Sequence, residues 1–196
     1  MRIIAGEFRG REVVSPPEGK RGEAAITRPI TDRAKQSLFD ALQDCFLGQT
    51  VLDCFAGTGS LGLECLSRGA ARAIFVERNR SALRALQENI KTFRVADRAL
   101  VLPMDAYLTA ENPEVRNLTI AFVDPPYSHT DTGHERRQVD ELLRNLAATC
   151  MVDGGIISFR HPSHASVDAA ALGVKIVREL QYGEMAITWL AQAPKS

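Results

Sequence analysis

The apolar residues of the chain follow two alternating periods, which predict an α/β fold. Short runs of consecutive apolar residues, such as 50–55 and 118–123, are bounded by glycine, proline or polar residues, as in strands buried on both faces. Other stretches, such as 80–93, place apolar residues three and four positions apart, as in helices that pack one face on a sheet. The alternation predicts five strand–helix units.

Two further apolar stretches lie near the end of the chain. Residues 174–181 and 185–190 have the composition of strands, and Tyr182-Gly183-Glu184 between them is short enough for a hairpin. Together with the five units, this hairpin predicts a Rossmann-like, seven-stranded sheet that is mostly parallel and ends in an antiparallel C-terminal hairpin.

The first 33 residues do not share this pattern. Two short β-prone stretches, 2–5 and 11–15, flank a glycine-bounded turn, and a loop rich in proline and glycine follows them. A helix is expected to follow, capped by Thr31 or Asp32 and running to about Phe46. The chain is therefore divided into a small N-terminal β-hairpin with its linker, residues 1–33, and a main domain, residues 34–196.

The composition is that of an ordinary soluble globular protein, with 45% apolar and 24% charged residues and a formal net charge of zero. A neutral chain is not expected to coat nucleic acid by charge alone, although residues 1–35 hold eight Lys or Arg against five Asp or Glu. No apolar run approaches the length of a membrane span, and the first residues lack a signal-peptide core. We therefore expect a cytoplasmic protein that is not bound to a membrane.

Neither the cysteines nor the histidines indicate a metal site. None of the four cysteines forms a C-x-x-C pair. His161 and His164 have a ligand-like spacing, but Pro162 between them disfavours a helix, and no carboxylate partner is evident in the sequence. The expectation is that the protein binds no metal.

The most informative segment joins the first predicted strand of the main domain to the next helix. Residues 53–62 read Asp-Cys-Phe-Ala-Gly-Thr-Gly-Ser-Leu-Gly. Glycines let the backbone turn sharply and let a ligand approach the main chain, and a helix N-terminus adds unpaired N–H groups with a partial positive charge. The Gly-x-Gly-x-x-Gly spacing alone is a weak signal that dinucleotide-binding folds share. The form D-x-F-A-G-T-G is that of amino-directed methyltransferases, and it indicates S-adenosylmethionine rather than NAD.

Two carboxylates after later strands complete the predicted cofactor site. Glu77 ends the second strand, where a carboxylate accepts hydrogen bonds from ribose hydroxyls in other nucleoside-binding α/β folds. Asp105 follows the third strand and could accept from the adenine amino group, although Asp is also common in turns for local reasons. The residues predicted to bind the cofactor are Asp53, Phe55, Ala56, Gly57, Thr58, Gly59, Gly62, Glu77, Arg78, Asp105 and Ala106.

A rigid polar turn, Asp124-Pro125-Pro126-Tyr127, follows the apolar strand 118–123. Its prolines fix φ and present carbonyl oxygens at the carboxyl end of the sheet, where ligands bind in open α/β folds. An exocyclic amino group has two hydrogens, which the Asp124 carboxylate and the Pro125 carbonyl could accept, while the Tyr127 ring could stack on the base. The predicted catalytic residues are therefore Asp124, Pro125, Pro126 and Tyr127.

Segments spread over nearly the whole chain match one known family. They are Arg2 to Gly6, Arg9 to Arg11, Arg28 to Arg33, Leu38-Phe39, Asp53 to Gly62, Leu63 to Ala70, Phe122 to Tyr127 and Tyr182-Gly183. With these segments the chain resembles the small-subunit (16S) ribosomal RNA guanine-N2 methyltransferases of the RsmD type. Small departures are Ile30 in place of Thr, Gln36 in place of Glu, and His161 near a strand end that is usually acidic.

The resemblance implies a class I S-adenosylmethionine-dependent methyltransferase fold, of which a closing antiparallel hairpin is typical. It implies a cytoplasmic enzyme that methylates N2 of a guanine in 16S rRNA during ribosome assembly, with S-adenosylmethionine as the methyl donor. Its partner would be ribosomal RNA or an assembling small ribosomal subunit, and a monomer is expected. The arginines expected to neutralise RNA phosphates are Arg2, Arg9, Arg11, Arg28 and Arg33.

Two alternative functions remain open at this point. A DNA adenine-N6 methyltransferase would carry the same motifs, but only 69 residues follow Tyr127, which leaves little room for a target-recognition region. A non-catalytic nucleic-acid-binding protein on a methyltransferase fold is disfavoured because the glycine loop, Asp124 and Tyr127 are intact. Binding of S-adenosylmethionine, followed by methyl transfer to RNA and to DNA, distinguishes the three.

Overall fold

Seven strands form one sheet with the first strand near its centre. The computed structural model describes residues 1–15, 30–42, 45–130 and 132–193. The strands are β1 (Thr50–Cys54), β2 (Arg72–Val76), β3 (Ala99–Leu102), β4 (Leu118–Val123), β5 (Met151–Pro162), β6 (Val174–Tyr182) and β7 (Met185–Gln192). Their order is β3-β2-β1-β4-β5-β7-β6. Strands β1 to β5 are parallel, and β7 runs antiparallel to both β5 and β6.

Helices cover both faces of this sheet. They are α1 (Asp32–Ala41), α2 (Ser60–Ser67), α3 (Arg80–Phe93), α4 (Gly133–Thr149) and α5 (Ala169–Leu172), with 3-10 turns at Ala106–Glu111 and Tyr127–His129. One apolar cluster joins α1, α2 and α3 to one face and includes Phe39, Phe75 and Phe122. The second joins α4 to the other face and includes Leu143 and Phe159. Buried parallel strands between two helical layers account for the continuous apolar runs in the sequence.

The predicted seven-stranded α/β architecture is confirmed, and several boundaries differ from the sequence pattern. Helix α1 ends at Ala41, and Phe46 is buried beyond it in a turn, with its ring centroid 5.4 Å from that of Phe39. Helix α4 begins at Gly133, ahead of its first buried apolar position, Val139. The sequence pattern does not show this start, because the first turns are largely exposed and carry no apolar stripe. Strand β5 begins at Met151, and the exposed residues 152–154 that follow break the apolar run by which a buried strand is recognised. Its register against β4 also shifts there.

The N-terminal segment packs against the main domain. Its hairpin has an antiparallel bridge between Arg2 and Glu12, and Ile3, Phe8 and Val13 are buried in the cluster with α1 to α3. The linker that follows lies outside the described residues, so the division of the chain at residue 33 stays a prediction. In the described ranges, the helices are all too short or too polar to cross a membrane.

Candidate functional site

The glycine loop and the Asp-Pro-Pro-Tyr turn lie side by side at the carboxyl end of the sheet. Strands β1 and β4 are parallel neighbours, so the segments that follow them meet at the same edge. The backbone N–H of Asp124 donates to the carbonyl of Cys54, the last residue of β1, at 3.4 Å. The fold therefore brings the predicted cofactor loop and the predicted catalytic turn together.

The glycine loop turns through left-handed backbone conformations. Phe55, Gly57 and Gly59 have φ values of 63°, 55° and 82°, and Gly59 is the N-cap of α2. The loop is fixed at its start, where Ala56 donates its N–H to the Val76 carbonyl at 3.0 Å. This geometry directs the chain from the buried strand β1 into a helix whose N-terminal N–H groups face the edge of the sheet.

The three glycines of the motif differ in what a side chain would meet at each position. Gly59 has a left-handed φ of 82°, and a Cβ there would also meet the tip of the Leu86 side chain. A Cβ on Gly62 would clash with the ring of Phe75, so that position requires glycine for packing. A Cβ on Gly57 would meet nothing within 4 Å. Gly57 is therefore the motif glycine with open space above it, as expected where a ligand approaches the main chain.

Asp53 lies beneath this loop as a buried carboxylate. Only 1% of the residue is exposed, and its Oδ2 accepts from the Gly62 N–H at 2.8 Å. Burial raises the pKa of Asp53 to about 7; the Gly62 hydrogen bond opposes the rise, and the charges of Asp124 and Glu77 add to it. A cation placed beside this buried carboxylate would lower its pKa and favour the ionised form.

Glu77 connects the glycine loop to the start of α3. Its Oε2 accepts from the Gly57 N–H at 2.8 Å, and its Oε1 accepts from the N–H groups of Arg78 at 2.8 Å and Asn79 at 2.7 Å. An ionised carboxylate has about four acceptor positions, so these three bonds leave one for a hydroxyl donor.

Asp105 and Arg78 form an ion pair at the rim of the same edge. Arg78 Nη1 lies 2.7 Å from Asp105 Oδ2, while Asp105 Oδ1 accepts from the Tyr107 N–H and starts the 3-10 turn that contains Ala106. The Tyr107 ring contacts Phe55 edge to face, with centroids 5.5 Å apart. These contacts place the predicted residues Phe55, Arg78 and Asp105 on one wall of the site.

Tyr107 extends this wall to the Asp-Pro-Pro-Tyr turn, and the sequence did not indicate this contact. Its hydroxyl is 2.6 Å from His129 Nδ1, at the end of the turn that begins with Tyr127. Burial raises the pKa of Tyr107 to about 12, with Asp105 adding to the rise, while burial lowers the pKa of His129. In the sequence His129 is only part of a polar loop, because no local pattern pairs it with Tyr107.

The Asp-Pro-Pro-Tyr turn is rigid and partly buried. Pro125 is buried, and Asp124, Pro126 and Tyr127 are partly exposed. The Tyr127 carbonyl accepts from both the N–H and the hydroxyl of Thr130, which closes the turn. Burial raises the pKa of Asp124, and the guanidinium of Arg160 opposes the rise.

Arg160 is a further residue of this site that the sequence did not reveal. Its Nε donates to Asp124 Oδ1 at 2.5 Å, and its guanidinium carbon lies 5.4 Å from the centroid of the Tyr127 ring. The register of β4 and β5 brings Arg160 to this site. It pairs Val123 with Phe159, so the residues that follow them, Asp124 and Arg160, lie beside each other. Register between strands is a tertiary property that periodicity does not supply.

The neighbouring histidine, His161, is engaged within the protein. Its Nε2 lies 2.8 Å from Thr188 Oγ1, and its Nδ1 lies 2.8 Å from the Pro162 carbonyl. Across residues 1–15, 30–42, 45–130 and 132–193, no group of three or more His, Cys, Asp or Glu side chains is arranged to hold a metal ion.

The arginines predicted to contact RNA lie at the surface around the N-terminal hairpin. Arg2, Arg9, Arg11 and Arg33 are exposed, and Arg28 lies outside the described residues. Arg2 and Arg9 line a groove shared with α1. Arg11 is partly committed to structure, because its Nη2 donates to the Thr92 carbonyl at 2.6 Å and its guanidinium lies 4.5 Å from the centroid of the Phe93 ring.

The strand order, the glycine loop after β1 and the Asp-Pro-Pro-Tyr turn after β4 define a class I methyltransferase. A solved structure titled "Putative methyltransferase yhhF from Escherichia coli" aligns with a TM-score of 0.79 and 30% identity, over 99% of each chain. The chain belongs to the family described as Conserved hypothetical protein 95, whose model matches residues 1–191.

Two relatives of known name share much of the sequence. The chain is 31% identical over 185 residues to "Putative rRNA methyltransferase YlbH" of Bacillus subtilis, which covers 93% of this chain and 94% of that protein. It is 37% identical over 127 residues to "Ribosomal RNA small subunit methyltransferase D" of Escherichia coli, a match that covers 65% of this chain and 60% of that protein.

Proposed function

We propose that the protein transfers a methyl group from S-adenosylmethionine to the exocyclic N2 of a guanine in 16S rRNA during ribosome assembly. The observation that carries the proposal is the junction of β1 with β4, where the Asp124 N–H donates to the Cys54 carbonyl. This junction puts a loop suited to the cofactor beside a turn suited to an amino group. The names of both relatives support rRNA as the substrate.

The glycine loop and the carboxylates around it would hold the cofactor. The open space above Gly57 would admit the ligand to the main chain, and Asp53 would face its cationic amino group. The remaining acceptor position of Glu77 suits a ribose hydroxyl, and Asp105 suits the adenine amino group. S-adenosylmethionine supplies an electrophilic methyl group when it is bound.

The Asp-Pro-Pro-Tyr turn would hold the target base. Asp124 Oδ1 is bonded to Arg160, which leaves Oδ2 to accept one hydrogen of the guanine amino group, while the Pro125 carbonyl accepts the other. Fixing both hydrogens orients the nitrogen lone pair toward the methyl group. The amino nitrogen becomes acidic only as the new bond forms, so its proton leaves late, to Asp124 or to water.

Tyr127 would compensate part of the cost of extracting the base from its stack. A guanine in folded RNA must leave that stack to reach the site, which costs a few kcal/mol. Stacking on an aromatic ring returns about 1–3 kcal/mol per base. The exposed arginines of the N-terminal hairpin would position the RNA backbone, because phosphate contacts set register and orientation without reading sequence.

Methyl transfer in vitro tests the proposal directly. The purified protein is incubated with S-adenosylmethionine carrying a labelled methyl group and, separately, with naked 16S rRNA, small ribosomal subunits and DNA. Label is expected in RNA, as N2-methylguanine. Label in DNA as N6-methyladenine would support the DNA adenine methyltransferase instead, and binding of RNA without any transfer would support the non-catalytic alternative.

Asp124→Asn is the variant that tests the site. Asn preserves the shape and one acceptor oxygen, whereas Ala would leave the buried guanidinium of Arg160 without this partner. The change is expected to lower kcat far more than affinity for S-adenosylmethionine, because the contact strengthens as charge develops on nitrogen. Asp153→Asn, at an exposed position of β5, is the matched control. A kcat close to wild type in Asp124→Asn would contradict the assignment.

A further inference from the structure

We propose that Arg160 is a positioning residue that holds both Asp124 and Tyr127 in the arrangement the methyl transfer requires. The inference rests on the proposed function and assigns a role to a residue that none of the sequence motifs includes. Arg160 lies in β5, beside the catalytic turn, and the two strands that carry it and Asp124 are parallel neighbours.

The first contact fixes the Asp124 carboxylate. Arg160 Nε donates to Oδ1 at 2.5 Å, and the two side chains are only 6% and 18% exposed. A charge-assisted bond in this setting restricts rotation of the carboxylate and engages one oxygen. The other oxygen is then the one available to the substrate amino group, so Arg160 selects which atom of Asp124 accepts the hydrogen bond that the amino N–H donates.

The second contact involves the ring of Tyr127. The guanidinium carbon of Arg160 lies 5.4 Å from the ring centroid, within the range of a cation–π interaction. Its Nη1 lies 3.6 Å from Met185 Sδ on β7, which holds the guanidinium from a third element. A planar, delocalised guanidinium can stack and donate at the same time, which a lysine ammonium cannot do. One side chain thus spans the amino-binding and base-stacking residues.

A third effect of Arg160 concerns the protonation of Asp124. Burial raises the pKa of this carboxyl group, and Arg160 is the charge that opposes the rise. Asp53, on the neighbouring strand β1, is a second carboxyl group whose pKa is raised mainly by burial and further by the Asp124 charge. If Arg160 is replaced by a neutral residue, the pKa of Asp124 rises further, and the protonated form would present a hydroxyl donor to an amino group that needs an acceptor.

The test compares Arg160→Met, Arg160→Lys and the wild type for kcat, KM and pH dependence on 16S rRNA substrates. Met removes the charge and the contacts with Asp124 and Tyr127, and kcat is expected to fall about 100-fold, the loss typical of a misplaced reacting group. KM for S-adenosylmethionine is expected to change by less than about 3-fold, because the two residues that Arg160 holds lie in the catalytic turn rather than in the glycine loop. Lys retains the charge without the fork and is expected to recover part of kcat.

A pH profile separates positioning from a merely structural role. In Arg160→Met, kcat should rise with pH across a range in which the wild type is level, because a higher pH is then needed to ionise Asp124. The pKa of Asp53 is about 7, so the profile is measured at saturating S-adenosylmethionine, where its effect on cofactor binding is removed. Arg178→Met is the matched control, because Arg178 also stacks on an aromatic ring, at 5.4 Å from that of Trp189, but lies on β6.

The outcomes separate this inference from the proposed function. If the wild type methylates rRNA and Arg160→Met retains its kcat and pH profile, the positioning role is wrong and the proposed function stands. If the wild type methylates no rRNA, the proposed function fails and the inference fails with it. If Arg160→Met does not fold, Arg160→Lys decides: full kcat with an unaltered profile overturns the role, and a reduced kcat with unchanged S-adenosylmethionine affinity supports it.

Discussion

Replacing Glu64 by Gln is expected to destabilise the protein strongly, because one buried carboxylate holds the N-terminal segment. Its Oε2 lies 2.8 Å from the Ile4 N–H and 3.1 Å from Lys35 Nζ. Its Oε1 lies 3.1 Å from the Ala5 N–H and 2.9 Å from Arg68 Nε. Neither Glu64 nor Lys35 has exposed side-chain surface. Two cations and two backbone donors therefore depend on this one group.

The size of this destabilisation follows from the donors that a glutamine amide would leave without an acceptor. A glutamine has one acceptor oxygen, and its NH₂ would meet donors, while the Lys35 ammonium would stay buried without its countercharge. Removing one partner of a buried pair costs about 3–5 kcal/mol. In a chain of this size each kcal/mol corresponds to about 2–4 °C, so the melting temperature should fall by about 6–20 °C.

Equilibrium unfolding in urea, followed by circular dichroism, measures this loss. The midpoint should fall without a change in slope, since the folded state remains compact. Glu114→Gln is the matched control, because Glu114 pairs with Arg72 at the surface, where both side chains are about half exposed and the pair contributes about 0–1 kcal/mol. A Glu64→Gln variant no less stable than Glu114→Gln would refute the argument.

Three further predictions concern the cofactor and the RNA. Gly57→Ala should weaken S-adenosylmethionine binding, measured by calorimetry, by at least about 10-fold. Because the backbone of Gly57 is left-handed, this variant should also lose about 1–2 kcal/mol of folding stability. Gly62→Ala should instead mainly destabilise the protein, because its methyl group would clash with the core. Wild-type S-adenosylmethionine affinity should rise as pH increases through 7, because the cation pairs with ionised Asp53, whereas Asp53→Asn should bind weakly with a flat profile. Replacing Arg2 and Arg9 by Gln should weaken RNA binding and lower the slope of affinity against salt by about 1 for each phosphate that is no longer neutralised.

These predictions have their own contradicting results and controls. Gly57→Ala and Gly62→Ala variants that lose cofactor affinity and stability alike would remove the distinction between them. A pH profile of cofactor affinity that is the same in wild type and Asp53→Asn would show that Asp53 does not face the cation. Arg144→Gln, on the opposite face of the sheet, is the control for RNA binding, and an equal salt slope in all arginine variants would argue against the hairpin as the RNA surface.

The raised pKa of Asp53 also makes the free energy of unfolding depend on pH. Its folded pKa of about 7 lies above its ordinary value of 3.8, so the folded state binds the proton more tightly than the unfolded state. Below its unfolded pKa this group therefore carries no penalty, and stability is lost as the pH rises from there toward 7. Asp53→Asn should remove this part of the pH dependence of unfolding.

Features with local signals were predictable from the sequence. The strands of the sheet, apart from the start of β5, were visible because each buried strand is a short apolar run between breakers. The glycine loop was visible because its residues are contiguous. The sequence offered Thr31 or Asp32 as the cap of α1, and in the structure Thr31 Oγ1 accepts from the Ala34 N–H at 3.2 Å. In each case the physical cause lies within a few residues of the feature.

Features that join distant segments were not predictable. Asn89 interrupts the apolar stripe of α3, and from the sequence alone it is expected only to weaken the packing of that stripe. Its amide exchanges hydrogen bonds with the backbone of Val14 and donates to the Thr58 carbonyl, and so connects the N-terminal hairpin to the glycine loop. Glu64 and Arg160 act in the same way across long separations in sequence. A charged or amide residue gives no local sign that its partner lies in another element.

Mapping methylated nucleotides in cells tests most directly whether this protein methylates N2 of a guanine in 16S rRNA, as we propose. 16S rRNA from cells with and without the gene is digested and analysed by mass spectrometry, with wild-type and Asp124→Asn genes returned to the deleted strain. The account predicts that one N2-methylguanine disappears on deletion and returns with the wild type but not with Asp124→Asn. An unchanged set of N2-methylguanines, or a methyl group lost from adenine in DNA instead, would contradict it.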